Sequence, residues 1–308
     1  MPNVTISLKR SKSEQDYACG VCGATTVREL YTARDRLDNS GAVFTIAECE
    51  GCGIFRTLPE MTDTELAAFY PDEYWGGEPT EDWIRSSQSE KAHFLSRCES
   101  RGGRILDVGC GAGFFLRALD EGRWERFGIE IGKVASEQAA RSLGDDHVSA
   151  GTLIEKGFDD SYFDVVTFWS ALEHTNEPRA NLIEARRILK PGRTLIVQVP
   201  NVASYQSRWF EGDWFALDAP RHRYHFSART LDRLLAETGF ETYRRTFSSK
   251  AHNSHSLRQS LKTRMRGEGS SRLSRAFFYL AIPVIKPFDL AMTALDEGAT
   301  LTVAARAV

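Results

Sequence analysis

Residues 104–113 read Arg-Ile-Leu-Asp-Val-Gly-Cys-Gly-Ala-Gly. The apolar side chains at 105, 106 and 108 predict a buried strand, the three glycines a tight turn, and the apolar residues at 114–119 a helix. This order of strand, turn and helix is typical of a nucleotide-binding βα unit. The stretch also carries Asp107, whose carboxylate would repel a phosphate. We therefore expect a ligand with a cationic or zwitterionic end.

A second acidic residue supports this interpretation. The short apolar run Phe127-Gly128-Ile129 ends in Glu130. An acid about 20 positions past a glycine turn, at the end of the second strand, can accept hydrogen bonds from a ribose diol. The alternative is a dinucleotide-binding dehydrogenase. The turn, however, lacks the G-x-G-x-x-G spacing and places an acid where a pyrophosphate would lie.

At these residues the chain resembles the class I S-adenosylmethionine (SAM) dependent methyltransferases. Residues 107–113 match the first motif of that family and Glu130 its ribose-binding acid, and the likeness continues through 163–166, 189–192 and 194–199. The resemblance spans roughly residues 90–248 and resumes at 299–306. It implies SAM as cofactor, with the methionine part near the glycine turn and the adenine near the third strand. The implied cofactor-binding residues are Asp107, Gly109, Cys110, Gly111, Gly113, Glu130, Ile131, Thr152, Leu153, Trp169 and Tyr74.

Strand and helix patterns alternate from residue 102 to the end, which predicts an α/β fold. We expect a Rossmann-like, seven-stranded, mostly parallel sheet with helices on both faces. The predicted strands are 104–108, 126–130, 147–149, 163–169, 194–199, 241–247 and 300–306. The predicted helices are 113–121, 133–142, 179–190 and 227–238. Residues 200–226 and 248–298 exceed the minimal fold and are predicted insertions.

Four of the six cysteines form two C-x₂-C pairs, each followed by glycine: Cys19, Cys22, Cys49 and Cys52. Two such turns offer four thiolates to one tetrahedral zinc ion, and the segment between them is long enough for two or three strands. Because four sulfurs close the coordination shell, we expect a structural rather than a catalytic zinc. The alternative is a pair of disulfides or a redox C-x-x-C.

Composition and segment boundaries complete the outline. The chain has 308 residues, is 42% hydrophobic and carries a net charge of −3, which suits one large and one small domain and gives no general argument for nucleic acid binding. We predict a flexible N-terminus (1–16), a four-cysteine zinc ribbon (17–60), a helical and aromatic cap segment (61–101) and the SAM-binding core (102–308). The first residues do not resemble a signal peptide, and no apolar run could cross a bilayer, so a cytoplasmic location is expected.

Candidate catalytic residues lie where ligands bind in open α/β sheets, beyond the carboxyl ends of the central strands. Two stretches qualify, Glu173-His174 and the loop 218–227, which crowds histidines, arginines and a tyrosine. We expect a histidine general base, since histidine titrates near neutral pH. The alternative is a structural hydrogen-bonding role. The candidates are His222, His225, His174, Glu173 and Tyr224.

Two further segments have open interpretations. The aromatic residues at 70, 74 and 75 could close over SAM, since aromatic faces attract a sulfonium, or could simply pack between domains. The insertion 248–298 has a basic first half and an apolar second half. Such a segment could touch an anionic membrane surface through 250–285. We favour a helical hairpin that packs on the edge of the sheet.

The four-cysteine layout ahead of a methyltransferase core resembles the bacterial deoxysugar C-methyltransferases and related glycan and natural-product enzymes. This resemblance implies a small-molecule acceptor, with a sugar or lipid-linked saccharide as the preferred choice. The alternative acceptor is a polyketide, quinone or peptide methylated on oxygen or nitrogen. An alternative of another class is a zinc-ribbon module that binds protein or nucleic acid on a SAM-binding scaffold.

Overall fold

The computed structural model describes residues 18–37, 41–70, 79–248, 252–266 and 287–308. Within these ranges the strands are β1 (Val27–Arg34), β2 (Val43–Cys49), β3 (Phe55–Leu58), β4 (Gly103–Val108), β5 (Trp124–Glu130), β6 (Val148–Ala150), β7 (Phe163–Trp169), β8 (Leu189–Pro200), β9 (Tyr224–His225), β10 (Phe240–Thr246) and β11 (Thr300–Ala307). They form two sheets, one of seven strands and one of four.

The large sheet has the order β10-β11-β8-β7-β4-β5-β6. Strands β4 to β8 run parallel, whereas β11 is antiparallel to β8 and to β10. The predicted fold class, with a seven-stranded and mostly parallel sheet, is therefore confirmed. The strand order reverses at β4, which has β5 on one side and β7 on the other. In such sheets this switch point opens a crevice at the carboxyl ends of the strands, and the glycine turn lies there.

The helices with named bounds in these ranges are α1 (Asp63–Ala67), α2 (Glu81–Cys98), α3 (Phe114–Arg117), α4 (Lys133–Leu143), α5 (Leu153–Lys156), α6 (Pro178–Ile188), α7 (Tyr205–Phe210), α8 (Ala228–Glu237) and α9 (His252–Arg266). Residues 287–294 are also helical. Those predicted in the core are present with changed ends. Helix α3 is shorter than the predicted 113–121, and α6 ends at Ile188 because Leu189 already begins β8. Among the described helices, none has the length and apolar character needed to span a bilayer.

The small sheet has the order β1-β2-β3-β9, and it is antiparallel throughout. Its first three strands come from the cysteine-rich segment. Strands β1 and β2 begin between the two cysteine pairs, where two or three strands are predicted, and β3 follows Cys52. Its fourth strand, β9, comes from the insertion 200–226 and pairs with β3 through Phe55↔His225 and Arg56↔Tyr224. The small sheet is therefore not built from the segment 17–60 alone, because the core supplies its fourth strand.

Candidate cofactor and acceptor site

The glycine turn after β4 has a backbone that only glycine adopts easily. Gly109 has φ +72° and Gly113 has φ +78°, in the left-handed region that side chains with a Cβ disfavour. A Cβ on Gly109 would also lie 2.7 Å from the Cβ of Ala171. The turn thus passes close to the segment that follows β7, and the two segments share the crevice.

Asp107 is buried at the end of β4. Its Oδ1 accepts a hydrogen bond from the Thr167 hydroxyl at 2.7 Å, and the residue is 2% exposed. Burial raises the pKa of this carboxyl to about 7, while the Thr167 bond and the charge of Lys91 oppose the rise. Near neutral pH the group is therefore poised between its two forms, and a cationic ligand would favour the ionised one.

Glu130 joins the glycine turn to the start of α4. Its two carboxylate oxygens accept hydrogen bonds from the backbone N–H groups of Gly111 at 2.9 Å and Gly132 at 2.7 Å. Burial raises its pKa, and these backbone bonds oppose the rise. A carboxylate oxygen can accept more than one hydrogen bond. Glu130 can therefore hold the turn in place and also accept both hydroxyls of a ribose.

The other residues proposed for the cofactor line the same edge, with different degrees of exposure. Ile131 is 62% exposed beside Glu130, whereas Leu153 and Cys110 are buried. Thr152 caps α5, where its hydroxyl accepts the N–H of Glu155. Trp169, at the end of β7, packs edge-on against Phe115 with ring centroids 5.2 Å apart. Tyr74 and Trp75 lie outside the described residues.

Lys91, which sequence reasoning did not select, lies at the same edge. It stands on α2, with its Nζ 5.5 Å from the centroid of the Trp169 ring. Desolvation lowers its pKa, and the charges of Asp107 and Glu173 raise it. A lysine in a polar helix is ordinarily solvated, so the sequence gives no signal for this position. The packing of α2 against Trp169 through Phe94 brings Lys91 inward.

Two buried arginines fix the loop between residues 218 and 226. Arg221 is fully buried and forms ion pairs with Asp218 at 2.7 Å and with Asp35, at the end of β1, at 2.8 Å. Arg223 donates to the carbonyl of His174 at 3.0 Å and pairs with Asp63 at 2.6 Å. The loop is thus held between the small sheet, α1 and the core.

The loop brings three of the predicted residues together: Glu173, His174 and His222. The rings of the two histidines meet edge-on, with centroids 4.6 Å apart, and Nε2 of His222 lies 4.0 Å from a carboxylate oxygen of Glu173. Burial raises the pKa of Glu173 to about 8 and lowers that of His174 to about 3 and that of His222 to about 4. Burial thus favours the neutral form of all three groups.

The other two predicted catalytic residues, Tyr224 and His225, form β9. His225 is 2% exposed, and its Nε2 lies 2.9 Å from the Thr57 hydroxyl. The Tyr224 hydroxyl accepts the N–H of Gly20 and donates to the carbonyl of Asn176, both at 3.1 Å. A catalytic role of Tyr224 stays a prediction. Its hydroxyl is bonded to two backbone groups and ties the cysteine-rich segment to the core.

The four paired cysteines converge at one end of the small sheet. Their sulfurs lie within 4.8 Å of one another, with Cys19 to Cys52 at 3.8 Å and Cys22 to Cys49 at 3.5 Å. The N–H groups of Gly23 and Gly53 close two matching turns at 2.7 Å. Tetrahedral zinc with bonds of about 2.3 Å separates its sulfurs by about 3.8 Å. The geometry fits that ion, and no disulfide joins the cysteines among the described residues.

Comparisons with known proteins agree with this fold. The protein of Mycolicibacterium smegmatis named "Probable S-adenosylmethionine-dependent methyltransferase/" is 24% identical over 162 residues, which are 52% of this chain and 59% of the relative. The ubiquinone/menaquinone biosynthesis C-methyltransferase UbiE of Paraburkholderia phymatum is 31% identical over 179 residues, which are 49% of this chain and 73% of the relative.

A third relative, the ubiquinone biosynthesis O-methyltransferase of Roseobacter denitrificans, is 32% identical over 99 residues, which are 30% of this chain and 39% of the relative. The chain thus spans 39% to 73% of the length of these relatives. A solved SAM-dependent methyltransferase from Archaeoglobus fulgidus superposes with a TM-score of 0.50 at 20% identity, covering 76% of this chain and 97% of the other, which shows the shared fold.

The family match covers the crevice itself. A family model described as a methyltransferase domain matches residues 83–244, more than half of the chain. This range includes the glycine turn, Glu130 and the loop that carries His222. Through this domain the chain belongs to the SAM-dependent methyltransferases.

Proposed function

We propose that the protein transfers the methyl group of SAM to a small-molecule acceptor. The observation that carries this proposal is the set of residues at the switch point of the sheet. The glycine turn and two buried acids, Asp107 and Glu130, follow β4 and β5, and the cluster of Glu173, His174 and His222 includes two residues that follow the adjacent β7. The methyl group of a sulfonium is already activated, so the enzyme mainly has to hold nucleophile, methyl carbon and sulfur in line.

The cofactor side has one group for each polar part of SAM. We assign Asp107 to the ammonium of the methionine part and Glu130 to the ribose hydroxyls. Ile131, Thr152 and Leu153 lie beyond the ends of β5 and β6, beside the position that an adenine would take. Lys91 adds a positive charge at the same edge, which suits the methionine carboxylate.

The acceptor that we propose is a sugar or lipid-linked saccharide. The four-cysteine segment ahead of the methyltransferase domain supports it, because that layout resembles the deoxysugar C-methyltransferases. A quinone precursor is the second candidate, favoured by the two relatives named for quinone biosynthesis. Turnover assays with a nucleotide-linked deoxysugar and with a polyprenylated phenol, compared at equal concentration, separate the two acceptor classes.

We propose that His222 is the general base that accepts the proton lost by the acceptor. Its Nδ1 lies 3.0 Å from the carbonyl of Ala216. Because only an N–H can donate to a carbonyl, Nε2 is left with its lone pair. In His225, Thr57 covers Nε2, and the unpartnered Nδ1 is buried. Replacing His222 with Gln should lower kcat by about 10²- to 10⁴-fold and leave the Kd for SAM unchanged.

We further propose that Cys19, Cys22, Cys49 and Cys52 hold a structural zinc ion. The spacing of their sulfurs and their two matching turns support this assignment. With four thiolate ligands the ion has no open position for a substrate. It would stabilise the small sheet and, through β9, the loop that carries His222.

Calorimetric titration with SAM tests the cofactor assignment directly. We expect one SAM per chain, with binding weakened at least about tenfold by Asp107→Asn and by Glu130→Gln, because each removes a charged hydrogen-bond partner. Glu137→Gln, at an exposed position of the neighbouring α4, serves as the matched control. The proposal fails if SAM does not bind, or if the two site variants bind it as the control does.

A further inference from the structure

The cluster of Glu173, His174 and His222 has the composition of a metal site. Each residue can offer one ligand atom, and these atoms all lie within 4.8 Å of one another. Two of the residues follow β7, in a single turn at Leu172–His174, and the third comes from the loop held by Arg221. The four-cysteine site consists of other residues.

The carboxylate of Glu173 lacks the partners that a buried acid normally has. The side chain is 1% exposed, and neither oxygen has a hydrogen-bond partner among the described residues. Burying a polar group without a partner is costly, and a carboxylate is costlier still. A cation bound between its oxygens and the histidines would remove that cost.

Both histidines are oriented as metal-ligating histidines usually are. Nδ1 of His174 lies 3.0 Å from the carbonyl of Arg221, and Nδ1 of His222 lies 3.0 Å from the carbonyl of Ala216. Because a carbonyl only accepts, each Nδ1 carries the proton and each Nε2 keeps its lone pair. The Tyr70 hydroxyl also lies 3.2 Å from Nδ1 of His174. A backbone carbonyl behind the second ring nitrogen is the usual support of a histidine that binds a metal through the first.

We propose that Glu173, His174 and His222 bind a divalent transition-metal cation of the zinc or manganese type. Two imidazoles and one carboxylate are a ligand set of catalytic metal sites, and three protein ligands leave positions open. Ligand bonds of about 2.1 Å place the ligand atoms about 3 to 4 Å apart. The widest pair, which lies within 4.8 Å, would have to contract by about 1 to 2 Å to reach that spacing.

Neighbouring charges partly compensate one another around this site. Oδ2 of Asp218 lies 3.9 Å from Nε2 of His222 and adds a second negative charge. Lys91 is near enough to act on the carboxyl of Glu173 electrostatically, yet no ion pair joins the two within the described part of the chain. Arg221 pairs with Asp218 and offsets its charge, so the attraction for a cation rests on the unpartnered oxygens of Glu173 and on the imidazole lone pairs.

The use of such a metal rests on the proposed function. Open coordination positions would take an oxygen of the acceptor, and a bound cation lowers the pKa of a coordinated hydroxyl. Nε2 of His222 cannot hold a cation and a proton together. In the metal-bound enzyme His222 would therefore be a ligand in place of the base, and the proton of the coordinated hydroxyl would pass to solvent water. This favours acceptors that present a hydroxyl, such as a sugar or a phenol.

Titration of the zinc-loaded protein with Mn²⁺, followed by electron paramagnetic resonance, tests the proposal. Thiolates select softer ions than Mn²⁺, so the four-cysteine site should not compete. We expect one Mn²⁺ per chain, with at least a tenfold weaker affinity in Glu173→Gln and in His222→Gln. His93→Gln, on the exposed face of α2, makes the same chemical change elsewhere and should bind Mn²⁺ as the unaltered protein does.

A second measurement needs no variant. Electron spin echo modulation of the unaltered protein with Mn²⁺ should show nitrogen couplings from coordinated imidazole. The proposal is overturned if Mn²⁺ does not bind, if no nitrogen coupling appears, or if both site variants keep the affinity of the control. Loss of turnover in His222→Gln without any Mn²⁺ binding would overturn the metal site and leave the proposed methyl transfer standing.

Discussion

At the scale of single residues, burial sets the chemistry of Asp107. Because its pKa lies at about 7, a growing share of the free protein is protonated there as the pH falls. A neutral carboxyl attracts the ammonium of SAM less strongly than a carboxylate does. We expect the Kd for SAM to rise below about pH 7, by up to tenfold per pH unit, as linkage requires. Calorimetry between pH 6 and 8 measures this effect.

The control for this pH dependence is Asp107→Asn, which has no proton to exchange at this position. The variant should bind SAM weakly and with a flatter pH profile. Glu130, whose pKa is also raised, would then account for any slope that remains. An equally steep profile in both proteins would contradict the assignment of Asp107 to the ammonium.

Gly109 gives a prediction about backbone geometry. Alanine there would have to adopt φ +72° and would place its Cβ 2.7 Å from that of Ala171. We expect Gly109→Ala to lower the free energy of unfolding by about 2 to 4 kcal/mol, the sum of strain and overpacking. Denaturant titration measures the change.

Gly157→Ala provides the matched comparison for Gly109→Ala. Gly157 has φ +63° and open space around its Cβ position, so only the strain, about 1 to 2 kcal/mol, should remain. Equal losses in the two variants would show that the contact with Ala171 is irrelevant. A larger loss at Gly109 would show that the turn is sterically matched to the segment after β7.

At the scale of elements, β9 connects the two sheets. It has two residues, but its pairing with β3, the Thr57 bonds to His225 and to the carbonyl of His222, and the saturated Tyr224 hydroxyl all hold it in place. Removing the hydroxyl in Tyr224→Phe leaves the N–H of Gly20 and the carbonyl of Asn176 without their buried partner.

We therefore expect Tyr224→Phe to lower the free energy of unfolding by about 1 to 3 kcal/mol, with the Kd for SAM unchanged. The control is Tyr243→Phe, which removes a more exposed hydroxyl bonded to Thr194 and should cost less than about 0.5 kcal/mol. Thermal or denaturant unfolding measures both. If the turnover of Tyr224→Phe fell while its stability and loop geometry were unchanged, this would support a catalytic role for Tyr224.

The central strands of the large sheet, such as β4, β7 and β11, could be predicted from the sequence because they are largely apolar runs between turn residues. The glycine turn and Glu130 could be predicted because their roles depend on spacing along the chain. The position of β9 could not, since a two-residue strand carries no periodicity and its partner lies about 170 residues away. Three further features could not be predicted either, because they depend on contacts between distant parts of the chain. They are the position of Lys91, the different surroundings of His222 and His225, and the ion pair of Arg221 with Asp35.

At the scale of the whole molecule, the cysteine-rich segment and the acceptor side of the crevice form one structural unit. Asp35 at the end of β1 pairs with Arg221, and Asp63 of α1 pairs with Arg223. Both arginines flank His222. A change in the small sheet should therefore reach the histidine cluster, whereas Asp107 and Glu130 depend on strands β4 and β5 of the other sheet.

Removal of the proposed zinc tests this coupling. In a protein stripped with a chelator, the four thiols lose the ion that unites them, and the small sheet should loosen. We expect Tm to fall by about 10 °C or more and kcat to fall more steeply than the affinity for SAM, because the loop with His222 rests on that sheet.

Cys49→Ser should reproduce both effects, whereas Cys98→Ser, outside the four-sulfur group, should reproduce neither. Metal analysis, thermal unfolding and SAM titration of the same samples separate the outcomes. Full turnover and an unchanged Tm in the metal-free protein would mean that the four cysteines do not support the acceptor site.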